Sequence, residues 1–203
     1  MSRDDPEARE ISEPLRDIAG RIFAEVGYDG TTTDLLVSAG ADRREVAAAG
    51  GKSGLYRSVM EELIRRQRDA LETALENAAP GLDCFRRFAD AFLDFHLENP
   101  HATALWMHRL LHDAADFAEL EYRYVAPVHQ IMSDKSRGVT LPTDPEMQIA
   151  TVAWCVVGFL NRGLFNADGS TSGAEDPAAV ARFRKHLQHL VSLMNTPGRG
   201  TTA

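Results

Sequence analysis

Ile22-Phe23-Ala24-Glu25-Val26-Gly27-Tyr28-Asp29-Gly30-Thr31-Thr32-Thr33-Asp34-Leu35-Leu36-Val37-Ser38-Ala39-Gly40 carries the end of one amphipathic helix and the whole of a second, short one. Upstream, Leu15, Ile18, Ala19, Ile22, Phe23 and Val26 recur at i, i+3, i+4, i+7, i+8 and i+11, one face of a helix. Gly27 is a natural residue to end it. Thr32 or Thr33 can cap a short helix from Asp34 to Ala39, and Gly40 stops that helix. Asp42-Arg43-Arg44-Glu45 has capping-box spacing and opens a third helix, closed by Gly50-Gly51.

The same punctuation continues downstream. Ser53 is placed to cap a long helix reaching about Asn77, and Pro80-Gly81 breaks the chain before Asp83 caps the next. Asn99-Pro100 ends that helix and His101 to His112 reads as another. Asp116 to Glu119 again has capping-box spacing and opens a helix toward Lys135, bent at Pro127. Asp144-Pro145 and Asp176-Pro177 each put a capping residue before a proline, starting helices at about 144–166 and 176–194. The stretch 167–175 reads as a flexible surface loop, and no run of period-two alternation bounded by hairpin turns stands out. The expectation is an all-α chain of about nine helices: a helix-turn-helix domain over 1–52, a larger helical domain over 53–195, and a disordered tail at 196–203.

Bulk numbers narrow the function. The chain has 203 residues, 44% apolar and 26% charged, which is ordinary for a folded globular protein. No stretch approaches the roughly 18 apolar residues of a membrane span, and the charged N-terminus lacks a signal-peptide segment, so a cytoplasmic protein with no membrane partner is expected. Cys84 and Cys155 read as small buried hydrophobes. The formal charge is −8, yet residues 30–68 hold seven basic and five acidic side chains, a local balance of +2 that permits a DNA-facing surface.

Over Ile22 to Thr32 the chain resembles the TetR family of bacterial transcriptional regulators, whose first helix ends in a similar Leu-Phe-Ala-Glu-x-Gly-Tyr-x-x-Thr-Thr run. Asp34 to Gly40 is similar to the family's second helix and turn, Gly50 to Leu55 to its entry into the fourth helix, and Phe95 to Pro100 to its Glu-Asn-Pro break. The resemblance spans about residues 11–195. It implies a ligand-responsive repressor acting as a homodimer on a palindromic operator in double-stranded DNA. On that reading Arg43 and Arg44 occupy the first turn of the helix that enters the major groove, where arginine pairs with guanine O6 and N7. Thr32 and Thr33 would contact phosphate, and Lys52 stands where the family's phosphate-contacting lysine stands. The chain departs from the family at Val46-Ala47-Ala48-Ala49-Gly50, where the usual tyrosine and phenylalanine are missing. From Gly40 to Lys52 it is also one residue shorter. That departure sets the alternative: a TetR-like ligand-binding or interaction protein with weak or lost DNA binding.

The larger domain is expected to sense a small apolar or amphipathic ligand in a closed cavity among residues 83–166, with Trp106, Met107, Tyr124, His129, Trp154 and Phe159 as lining candidates. Apolar stripes on the last two helices suggest a four-helix dimer interface built on Val152, Val156, Val157, Phe183, Leu187 and Leu190. His108 and His112 lie four apart with Asp113 beside them, but no glutamate follows the first histidine and no third ligand is placed. They read as surface or pocket-edge residues, and neither a metal nor another cofactor is expected. No nucleophile elbow, phosphate-binding glycine loop or paired-carboxylate site is present, so no catalytic residue is expected.

Overall fold

The computed structural model describes residues 11–196, except the side chains of Glu121 and Tyr124. Residues 1–10 and the expected tail past Thr196 lie outside the described residues. Nine α-helices are found among them: α1 Glu13–Gly30, α2 Thr33–Ser38, α3 Arg43–Ala48, α4 Gly51–Leu75, α5 Leu82–Glu98, α6 Pro100–Leu110, α7 Glu119–Lys135, α8 Pro145–Arg162 and α9 Pro177–Met194. None is long and apolar enough to cross a membrane.

Local chemistry explains most of the boundaries. Thr32, Asp42, Asp144 and Asp176 cap α2, α3, α8 and α9 with their side-chain oxygens, accepting from N–H groups that the helices themselves cannot satisfy. Pro145 and Pro177 follow two of these caps, where a missing N–H costs nothing.

Three starts differ from the sequence expectation. Ser53 does not cap α4, which begins two residues earlier; its hydroxyl pairs with the Tyr28 hydroxyl at 2.7 Å. Asp83 sits in the first turn of α5 and accepts from the Ala79 N–H at 2.9 Å, while Gly81 stands at the cap. Asp116 falls in a 3₁₀ turn, Ala115–Phe117, and α7 starts only at Glu119.

The last residues of the helix expected over 144–166 and part of the loop expected over 167–175 form a small hairpin instead. Leu164–Phe165 (β1) pairs antiparallel with Thr171–Ser172 (β2), Leu164 opposite Ser172 and Phe165 opposite Thr171. Two residues a side is too short to show a period-two signal in sequence.

The chain divides into two compact units, one formed by the chain to Arg65 with Ala104–Glu121, the other by Arg66–Thr103 with the chain from Tyr122 on. In the first, Phe23, Tyr56, Leu36, Leu55 and Val46 are buried, and α1 packs on α2 and α2 on α3. In the second, α5, α8 and α9 pack on one another. Its core includes Phe85, Phe88, Phe92, Leu93, Val152, Val156, Phe159, Phe183, Leu187 and Val191. The Phe159 and Phe183 rings stack at 4.2 Å between centroids, and burial of each contributes about 1.5–3 kcal/mol. The sequence expectation puts Val152, Val156, Phe183 and Leu187 between two copies; they lie instead inside their own unit, closed off by its packing. Val157 and Leu190 are half-buried.

A polar cluster crosses the second unit. His96, 2% exposed, has Nδ1 at 3.0 Å from Thr103 Oγ1 and Nε2 at 3.3 Å from the Gln67 amide nitrogen. The amide nitrogen can only donate, so Nε2 accepts and Nδ1–H donates to the threonine: the ring is neutral. Burial pushes its pKa down from 6.5 to about 4. Above pH 6.5 the ring is neutral folded or unfolded and stability is intact. As pH falls from 6.5 toward 4 the unfolded chain takes up a proton that the folded one resists, and up to about 3 kcal/mol is lost. Chemical denaturation at pH 7 and pH 5 should show this loss, and His96→Gln should remove its share of the slope; an unchanged slope in that variant would contradict the assignment.

Candidate nucleic-acid interface

Gly27 sets the position of everything after it in the head. Its φ of 75° and ψ of 172° are not helical, so α1 breaks there and resumes for one turn. A side chain would be strained at this φ and would also meet the Asp113 carboxyl group at 3.1 Å. Thr31, fully buried, locks the following turn: its hydroxyl donates to the Gly27 carbonyl at 2.6 Å and its N–H to the Tyr28 carbonyl at 3.1 Å. The chain then enters α2 through the Thr32 cap, whose oxygen accepts from the Leu35 N–H at 3.1 Å.

The turn between α2 and α3 is tight. Gly40 has φ 107°, and the Ala41 N–H donates back to the Leu36 carbonyl at 3.0 Å. Asp42 accepts from the N–H groups of Arg44 (2.8 Å) and Glu45 (3.1 Å), fixing the first turn of α3. Val46 is buried against the head, while Arg43, Arg44, Ala47 and Ala48 face solvent. This is helix-turn-helix geometry, with a six-residue second helix presenting two arginines and two alanine methyls.

The five residues expected to touch DNA are placed unequally. Thr32 and Thr33 sit at the start of α2, and the Thr32 oxygen is engaged as the cap. Arg43 donates to Asp34 on α2 at 2.5 Å, an ion pair whose partners are 63% and 82% exposed. Such a pair is worth about 0–1 kcal/mol and is readily exchanged for another anion. The Arg44 guanidinium has no hydrogen bond or ion pair among the described residues. Lys52 turns inward: its ammonium donates to the Tyr28 carbonyl at 3.0 Å and lies 4.1 Å from the Tyr28 ring centroid. Sequence reading missed this use of Lys52, since neither partner is near it in the chain.

The six ligand candidates are divided between the two units. Trp106 and Met107 belong to the first unit, Trp106 buried there. In the second, Phe159 is core, Trp154 is 65% exposed, and the Tyr124 side chain lies outside the described residues. His129 lines the large cleft of that unit, an open groove of about 1230 Å³ between α7 and the start of α8. Met132 and Ile149 form its apolar floor, with Ser133, Arg137 and Asp144 around it.

No protein-family model matches the chain, and no curated protein matches it in sequence. Solved structures do match in three dimensions. PfmR, a TetR-family transcriptional regulator from Thermus thermophilus, superposes with a TM-score of 0.59 at 19% identity, over 93% of this chain and 100% of that one. A TetR-family transcriptional regulator from Pectobacterium atrosepticum gives 0.58 at 20% identity, over 95% and 96%. The chain has the TetR-family fold. A protein described as the superantigen pfit shares it too, with a TM-score of 0.57 at 19% identity over 96% of this chain and 99% of that one. A TetR fold therefore does not by itself assign a function; the residues on α2 and α3 must do so.

Proposed function

We propose that the chain is a DNA-binding transcriptional regulator, a repressor that acts as a homodimer on a palindromic operator and is released by a small apolar or amphipathic ligand. The single observation that carries this reading is the α2–α3 pair, with a free Arg44 guanidinium on the first turn of the second helix. In a major groove that group can take O6 and N7 of one guanine, with the Ala47 and Ala48 methyls against thymine methyls. Arg43 would exchange Asp34 for DNA. Thr32, Thr33 and Lys52 are assigned to phosphates, which fix register without reading sequence. The ligand is assigned to the α7–α8 groove, whose apolar floor and polar rim suit an amphipathic molecule.

A second reading is favoured by the same helix. Ala47 and Ala48 leave α3 with little contact area and Lys52, at the start of α4, is turned inward, which suits a ligand-binding or interaction protein with weak or lost DNA binding. Titration of a labelled duplex from upstream of the chain's own gene separates the two. Arg44→Ala should cost about 1–3 kcal/mol and relax sequence preference. Lys52→Ala should weaken all sequences alike and flatten the salt dependence. Full-strength, sequence-selective binding by Arg44→Ala would sink the assignment of that residue, and no binding by the unmodified chain would favour the second reading.

The second copy is assigned to the outer face of α8, since the stripe that periodicity offers there is core. Met147 (53% exposed) and Trp154 (65% exposed) stand seven residues apart on that face, with half-buried Val157 at its edge. Large apolar groups in one solvent-facing stripe are the mark of a covered surface. Trp154→Glu should sediment as a monomer and lose binding to a palindrome. An unmodified chain that is monomeric at micromolar concentration would contradict the dimer.

A further inference from the structure

The break at Gly27 frees the Tyr28 N–H and the Ala24 carbonyl from each other, and both find partners on a single distant segment. In an unbroken helix the Tyr28 N–H would donate to the Ala24 carbonyl. Here the Tyr28 N–H donates to Asp113 Oδ2 at 2.7 Å, and the Ala24 carbonyl accepts from His108 Nε2 at 3.1 Å. The neighbouring Asp29 N–H donates to Asp113 Oδ1 at 2.8 Å. One carboxylate thus caps the resumed turn from 84 and 85 residues away.

The segment that does this is built to hold that carboxylate in place. His112 (φ 67°) and Ala114 (φ 55°), on either side of Asp113, are the two non-glycine residues with positive φ among the described residues. Side-chain-bearing residues hold such angles only where their surroundings impose them, and such places cluster at clamps and switches. Arg109, 5% exposed, ties the segment down, donating to the Ala114 carbonyl at 3.1 Å and the Phe117 carbonyl at 3.0 Å. The Phe117 ring packs 5.2 Å from Tyr28 and 5.3 Å from Tyr56. His108, expected as a surface or pocket-edge residue, is a donor to the backbone of α1.

We propose that residues 108–113 form a latch on the broken turn of α1, with Asp113 and His108 as positioning residues that hold α2 and α3 in the DNA-competent pose. With the latch open, Tyr28 loses its anchor, and with Tyr28 goes the carbonyl that holds Lys52. The segment is joined in the chain to the second unit at both ends, through Thr103 and Tyr122. With α4, which runs through Arg65 and Arg66, it is one of the two stretches by which the chain links the first unit to the second. This role rests on the DNA-binding reading above.

The test is made on the full chain with amide exchange by nuclear magnetic resonance and, in parallel, titration of the duplex from upstream of its own gene. Asp113→Ala should speed exchange at Tyr28 and Asp29 about tenfold or more, leave α5 and α9 amides unchanged, and lower DNA affinity about tenfold. Unchanged α5 and α9 protection shows that the variant is folded. His108→Ala should act in the same direction, whereas His108→Gln, which keeps an N–H donor at the same reach, should restore exchange and affinity. The latch is overturned if Asp113→Ala leaves Tyr28 and Asp29 protected, or if protection is lost while affinity is unchanged, or if His108→Gln behaves as His108→Ala. An unmodified chain that binds no DNA removes the DNA-binding reading and the latch's role with it; unmodified binding with an indifferent Asp113→Ala removes the latch alone.

Discussion

A single interrupted turn governs the N-terminal half of the molecule. Gly27 leaves the helical region of φ and ψ, and the polar groups released there must find partners, because buried backbone groups without them cost about 1–3 kcal/mol each. Thr31, Asp113 and His108 supply those partners. Once they do, Tyr28 is fixed, and its ring, hydroxyl and carbonyl in turn fix Phe117, Ser53 and Lys52. The chain leaves this node in the direction that delivers Thr32 to the cap of α2. The placement of the two arginines on α3 thus depends on hydrogen bonds made at a turn before them, by partners that lie both before and well after them in the chain.

The charges in the head divide by how firmly they are held. Arg43 and Asp34 are exposed, so their ion pair adds little stability and costs little to open. Lys52 is half-buried between a carbonyl and an aromatic face, and moving it to a phosphate would give up both contacts. Arg44 has no side-chain partner to give up among the described residues. A head of this kind would draw its sequence preference mainly from one arginine per copy, with the remaining cations adjusting to the backbone.

Much of the architecture was legible in the sequence because its determinants are local. Thr32, Asp42, Asp144 and Asp176 announce helix starts by residue type and spacing, and all four act as caps. The apolar period of α1, α5 and α9 likewise points each helix to its core. Where the deciding partner is remote, sequence reading failed. Ser53 looked like a cap, but Tyr28 claims its hydroxyl. Val152, Val156, Phe183 and Leu187, expected under a second copy, are buried in the core of their own unit, since periodicity reports that a face is covered and not by what. Composition likewise cannot say which rings share a cavity: Phe159 is core and Trp154 is exposed within one unit. Asp113 carried no local signal at all, because its two partners lie 84 and 85 residues away.

The central claim is that the α2–α3 pair reads DNA, and that two copies do so together. Footprinting of the full-length protein on the DNA upstream of its own gene tests it most directly. Two reading heads related by a two-fold axis should protect a pseudo-palindromic site whose half-sites lie about one helical turn apart, roughly 34 Å, or a multiple of that. Protection that is absent, or that spreads along the fragment without a symmetric site at any salt concentration, would contradict the account.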